Sequence, residues 1–217
     1  MGRITLIGTL HNPLGQCHVD ALCSLLEALA PEVIFEEWRP VDVTARDADT
    51  TWQSLDRQAI ARYVQGRVVR QVPVDAYELP PEFRQDIDRL FDYVVAHSPE
   101  YRSLQCVGDE EAFQYGFAYL NSPPWAALSQ RLLVVAEDTI AESGDVNLQR
   151  ILTTWTTLVR QREVAMVDNI YAYAREHVFA SGVFLVGAAH ISAIADIIST
   201  RAVADQCLIT WSFGSEP

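Results

Sequence analysis

Two short strings near opposite ends of the chain share one layout. Ile4–Ile7 is largely apolar and runs into Gly8-Thr9-Leu10-His11; Val183–Val186 is apolar and runs into Gly187-Ala188-Ala189-His190. A short apolar run closed by glycine suits a buried strand. Ile191 to Val203 follows with helical spacing, placing Ile194, Ile197 and Ile198 on one side. His190 therefore falls between the carboxyl end of a strand and the amino end of a helix. In open α/β sheets that edge is where ligands bind. Nearly 180 residues separate the two histidines, and a parallel sheet is the arrangement that brings two such turns onto one edge.

The chain between them supports such a sheet. Arg3–Gly8 reads as a first strand. His18–Ala30 has Leu22, Leu25, Leu26 and Leu29 on one helical face, stopped by Pro31. Val33–Glu37 reads as a second strand, and strand, helix, strand within about 35 residues is a βαβ unit. Val41–Thr51 is polar and reads as a loop; Trp52–Val64 reads as a helix. Gln71–Asp75 is a brief third strand whose Pro73 suits an edge. Pro80-Pro81 breaks the chain, and Pro81–His97, Glu110–Leu120, Trp125–Glu142 and Asn147–Phe179 read as helices. The last strands are Val183–Val186 and Cys207–Trp211. The expectation is a single α/β domain over 1–217. Its mixed or parallel central sheet is flanked by helices, with a large helical insertion over about 81–179 forming a lid or layer at the sheet edge.

Charge narrows the function classes. The net charge is −13, with a pI near 4.7, and nucleic-acid binding needs a basic footprint. No apolar run approaches the roughly 18 residues of a membrane span. The amino terminus lacks a signal-peptide layout, so the expectation is a cytoplasmic protein with no membrane and no nucleic-acid partner. The sequence does not set the oligomeric state. Cys17, Cys23, Cys106 and Cys207 form no C-x-x-C pair, which argues against a structural zinc motif and for reduced, buried thiols.

Polar residues close each predicted strand: His11, then Glu36 and Glu37, then Asp75, then His190. Two imidazoles with one or two carboxylates suit a divalent transition metal. The same groups serve as a metal-free general base with an orienting carboxylate. Glycine three residues before each histidine permits a tight turn or a close backbone approach. In the long helix, Arg160-Gln161-Arg162-Glu163 adds charge. Arg162 and Glu163 are neighbours, so the expectation is that one enters the cleft and the other faces water. Met166 and Ile170 read as core. His18, His97 and His177 read as structural.

Taken in order, Gly8–His11 (GTLH), Val33–Pro40 (VIFEEWRP), Val72–Glu78 (VPVDAYE), Arg160–Ile170 (RQREVAMVDNI) and Val186–Ile194 (VGAAHISAI) resemble the TraB/Tiki superfamily, with its erythromycin-esterase-like and ChaN-like relatives. The shared pattern is paired Gly-x-x-His motifs, a glutamate after the second strand and an arginine/glutamate-bearing helix. Residues 81–145 take no part in it. The resemblance implies a compact α/β fold whose two histidines and glutamate line one cleft. Tiki-like members are described as metal-dependent proteases, erythromycin-esterase-like members use a histidine base without requiring a metal, and ChaN-like members bind haem iron.

The expected activity is thus hydrolysis of a peptide or ester bond in a peptide or small-molecule substrate. In the leading version His11, Glu36, Glu37 and His190 hold Mn, Co or Zn, whose bound water attacks a carbonyl. Glu36 and His190 act in catalysis, and Arg162 or Glu163 steadies the oxyanion or orients the substrate. A second version keeps these residues and drops the metal, with histidine as base on an ester. A third is a non-catalytic module binding haem or a small ligand.

Overall fold

The structure, a computed structural model, describes residues 2–39, 54–76, 81–201 and 207–214. Its centre is a five-stranded, all-parallel sheet formed by β1 (Gly2–Thr9), β2 (Val33–Glu36), β3 (Arg70–Pro73), β4 (Ser181–Gly187) and β5 (Ile209–Phe213). The strand order is β3-β2-β4-β1-β5. The helices are α1 (Val19–Leu29), α2 (Leu55–Tyr63), α3 (Pro81–His97), α4 (Pro99–Leu120), α5 (Pro123–Ser143), α6 (Val146–Glu176) and α7 (Ile191–Ser199). The loop expected at 41–51, Trp52 at the start of a predicted helix and Val203 at the end of another lie outside the described residues. Among the described residues no helix is long and apolar enough to cross a membrane.

Chain direction assigns the helices to faces. From β1 to β2 to β3 the chain steps one way across the sheet; from β4 to β5 it steps the other way. Right-handed crossovers then put α1 and α2 on one face and α7 on the opposite face. The packing agrees. Leu22, Leu26 and Ile60 pack with Ile7, Ile34 and Leu185 on the first face. Ile194 and Ile198 pack with Leu6, Phe35 and Phe184 on the second, together with Met166 and Ile170 of α6. Val183 and Leu185 serve the first face while Phe184 and Val186 serve the second. Burial on both sides is why this strand reads as an unbroken apolar run.

The helical middle makes its own apolar cluster. Leu90 and Val94 of α3, Val135 and Ile140 of α5, and Leu148 and Ile151 from the first turns of α6 meet there. The far half of α6 leaves that cluster and lies along the sheet. The carboxyl end of α4 instead joins the first face through Ala112, Phe117 and Leu120. The insertion is therefore anchored to both faces.

Several boundaries shift for local reasons. α4 begins at Pro99, eleven residues before its predicted start, because Ser98 accepts the Tyr101 N–H as an N-cap and proline is favoured in the first helical position. The same Ser98-Pro99 pair that ends α3 thus starts α4. Pro123-Pro124 opens α5 behind Ser122 in the same way. His18 caps α1, its Nδ1 accepting the Ala21 N–H at 3.2 Å. His97 and His177 stack on the tyrosines four residues before them, at 3.9 and 4.2 Å between centroids. Cys17 and Cys23 are buried as expected, but Cys106 and Cys207 are exposed. Burial lifts the Cys17 thiol to about 11, which leaves it inert as a nucleophile.

Candidate functional site

The two Gly-x-x-His turns stand side by side. β1 and β4 are neighbours, with Gly8 opposite Val186 and Thr9 opposite Gly187. From this shared rim the chain leaves β1 for the first face and β4 for the second. That divergence marks the switch point at the carboxyl edge, where parallel α/β sheets place ligands. Gly8 is required by the fit: a Cβ there would stand 2.9 Å from the Ala188 Cα and 2.2 Å from the Ile191 side chain. Gly187 has ordinary dihedrals, φ −52° and ψ 132°. A Cβ on it would meet only the Glu37 and His190 side chains, each at 3.5 Å.

After Gly187 a single 3-10 turn, Ala188–His190, carries the histidine to the start of α7. His190 is half-buried among charges, its side chain 15% exposed. Its Nδ1 lies 2.8 Å from the Glu163 Oε1, and its Nε2 lies 3.6 Å from the Glu37 Oε1. Glu37 is fixed from two more directions. Arg162 Nη2 donates to its Oε1 at 2.8 Å, and the Gly187 N–H donates to its Oε2 at 2.8 Å. Arg162 in turn is held by Asp75, with Nη2 and Nε donating to Oδ2 at 2.8 and 3.2 Å. Arg160, on the outer side, lies 3.7 Å from the second Glu163 oxygen and donates to the Ala193 carbonyl at 3.2 Å. Five side chains from four elements or their ends thus form one connected network: Glu37 after β2, Asp75 after β3, Arg162 and Glu163 on α6, and His190 after β4.

Burial costs each of these charges solvation, so they persist only as partners. For His190, burial acts against the imidazolium. The Glu163 hydrogen bond and the charges of Glu37 and Glu163 outweigh it, with Arg162 opposing, and hold the ring above the ordinary histidine range. For Arg162, burial again acts against the charge. The bond and charge of Asp75, then those of Glu37, reverse it and raise the guanidinium pKa. A carboxylate can only accept. In its neutral form the ring therefore carries its proton on Nδ1, toward Glu163, and leaves the Nε2 lone pair free beside Glu37.

The predicted residues separate into two groups. Glu37, Arg162, Glu163 and His190 are brought together, with Asp75 as a fifth member. The bonds that join these five include neither His11 nor Glu36. His11 is exposed. Its carbonyl accepts the Leu55 N–H at 2.9 Å, and its ring makes no hydrogen bond or ion pair with a described residue. Glu36 is buried at 6% exposure, but strand alternation turns it to the face of Ile34, away from Phe35 and α6. The expectation that only one of Arg162 and Glu163 would enter the cleft is corrected. Their side chains are 16% and 5% exposed, and both reach the network. Neighbours on a helix point about 100° apart, and here His190 lies on one side of the gap and Asp75 on the other. Two residues not among the predicted site residues also touch the rim. Asn121 bonds the Gly8 backbone, and Trp125 bonds the Ala188 carbonyl. An asparagine before Ser-Pro-Pro reads as a turn residue, so nothing local marks its long-range role.

A surface depression of about 750 Å³ is lined by Leu14, Gln16, Phe113 and their neighbours and contains none of these five residues. The donor set fits a divalent metal poorly. Among the described residues no group of three or more His, Cys, Asp or Glu is arranged to hold one. Nδ1 of His190 is committed to Glu163, and the Glu37 oxygen nearest Nε2 already takes a guanidinium N–H.

Fold and rim together define a class: an all-parallel α/β protein with a buried His–carboxylate–guanidinium network in the crevice at the carboxyl edge of its sheet. Comparison with protein-family models, with curated proteins and with solved structures finds no match.

Proposed function

We propose that this protein is a hydrolase of ester bonds in which His190 is the general base. The observation that carries the reading is the part-buried pair His190–Glu163 at 2.8 Å, with Nε2 left over and a second carboxylate, Glu37, 3.6 Å from it. Glu163 fixes the ring's orientation and its tautomer. Water positioned at Nε2 gives up a proton to it while its oxygen adds to the substrate carbonyl. The imidazolium that forms lies between two carboxylates, which makes the ring a stronger base than a free histidine. When the tetrahedral intermediate collapses, the same proton passes from Nε2 to the departing alkoxide. Arg162 acts by holding Glu37 beside the ring, and Asp75 holds Arg162. The resemblance to erythromycin-esterase-like proteins points the same way.

The test is hydrolysis of ester and peptide panels by the purified protein. Ester cleavage that survives exhaustive chelation and is lost in His190→Ala supports the reading; unchanged cleavage in His190→Ala sinks it. The metal-dependent version rests on the 3.6 Å pair of Nε2 and Glu37 and on His11 standing on the same rim. Stoichiometric metal in the purified protein, lost with either histidine, would put it first. A haem-binding role would instead give a Soret band that His190→Ala abolishes.

A further inference from the structure

The connection between α4 and α5 touches both turns of the rim, although nothing in its sequence resembles either. Asn121 ends α4, and its amide faces the backbone of Gly8. Oδ1 accepts the Gly8 N–H at 2.7 Å, while Nδ2 donates to the Gly8 carbonyl at 3.1 Å and to the Phe117 carbonyl at 2.8 Å. β5 pairs with β1 only as far as Leu6, so Asn121 takes the place of a strand at the last turn-ward residues of β1. Four residues on, the indole N–H of Trp125 donates to the Ala188 carbonyl at 3.0 Å. That carbonyl also accepts the Ile191 N–H. It is thus the fixed point of the 3-10 turn that carries His190. Ser122 caps α5, and two prolines fill its first positions, so Asn121 and Trp125 are presented from a stiff corner. Gly8 and Ala188 are themselves in contact range, as the crowding of a Cβ at Gly8 requires.

We propose that this corner positions the catalytic turn: Trp125 holds Ala188, Asn121 holds Gly8 against it, and together they fix where His190 meets Glu163. The role rests on His190 as the base, and makes the helical insertion a brace for the site. Neither side chain touches the reacting atoms. Among the described residues the charged groups set against the ring are Glu163, Glu37 and Arg162, all from other elements, so the corner acts on His190 through backbone placement.

The discriminating variant is Trp125→Phe, which keeps an aromatic ring against Tyr119, 5.8 Å away between centroids, and removes the N–H donor along with part of the ring's packing area. The readout is the proton titration of the His190 ring by NMR in the wild type and the variant. The expected result is a titration moved to lower pH in the variant, because a loosened turn weakens the Glu163 bond. A roughly tenfold lower kcat on an ester that the wild type cleaves, with KM little changed, is expected beside it, the size of effect that slight misplacement of a base produces. A folded variant with an unmoved His190 titration overturns the proposal. Should Trp125→Phe fail to fold, the wild type decides: the Trp125 indole N–H resonance is expected to shift in step with His190 titration, and a flat response overturns it. Because the titration needs no substrate, it stays informative if the hydrolase reading fails, whereas loss of that reading shows in His190→Ala.

Discussion

The turn after β4 sets its half-buried histidine between two carboxylates. The turn after β1, on the neighbouring strand and in register with it, leaves its histidine exposed. Glycine, spacing and strand position are shared, so none of them makes the difference. What differs is the element facing each turn. Above the β4 turn runs α6, which delivers Arg162 and Glu163 and sits beside Glu37 and Asp75. Next to the β1 turn is the start of α2, which supplies one backbone N–H, from Leu55, to the His11 carbonyl. A Gly-x-x-His spacing places an imidazole on the rim; the partner across the crevice decides whether it gains a charge network.

That contrast can be broken most directly by alanine. His190→Ala is expected to lower kcat/KM for an ester substrate by about 10²–10⁴-fold, the range general-base catalysis supplies. His11→Ala is expected to change it by no more than a few-fold. Equal losses in the two variants would restore a joint two-histidine site. Next in size is Glu163→Gln, which keeps the shape and removes the charge. A drop of roughly tenfold or more is expected. The acid limb of the pH–rate profile should move to lower pH, since Glu163 is the chief group raising the His190 pKa.

The two glycines give a structural version of the same contrast. Gly8→Ala forces a Cβ against backbone at 2.9 Å and is expected to cost about 1–3 kcal/mol in urea unfolding, as overpacking does. Gly187→Ala meets only ordinary 3.5 Å contacts and is expected to stay within about 0.5 kcal/mol. The smallest effect is on the pH dependence of stability. Folding raises the His190 pKa, so its contribution is fully present below the ordinary histidine range. That contribution is lost as pH rises through the folded value. The unfolding free-energy gap between wild type and His190→Gln should therefore narrow across that window; a gap constant with pH would contradict the buried ion pairing of the ring.

Much of this was legible in the chain. The apolar strands, the βαβ start and the edge position of the Pro73 strand followed from period and composition, because strand burial and proline's missing N–H act locally. The rim position of Glu37, Asp75 and His190 followed from strand ends in a parallel sheet. Which of Glu36 and Glu37 enters the network was not legible, since a one-residue difference at a strand end reverses the face. Nor was the joint entry of Arg162 and Glu163, since it depends on where α6 lies above the crevice. Asn121 and Trp125 carried no local signal of this role, because their partners on the rim are backbone groups 113 and 63 residues away.

By itself, then, the sequence determined an α/β fold with a mixed or parallel sheet, and strand ends bearing histidines and acids. Those follow from periodicity, glycine and proline, whose effects reach only a few residues. The tertiary structure alone decided that one histidine would be half-buried among charges and the other exposed. The physical reason is that desolvation and ion pairing depend on what lies across the crevice, and α6 crosses above the turn of β4 and not above that of β1.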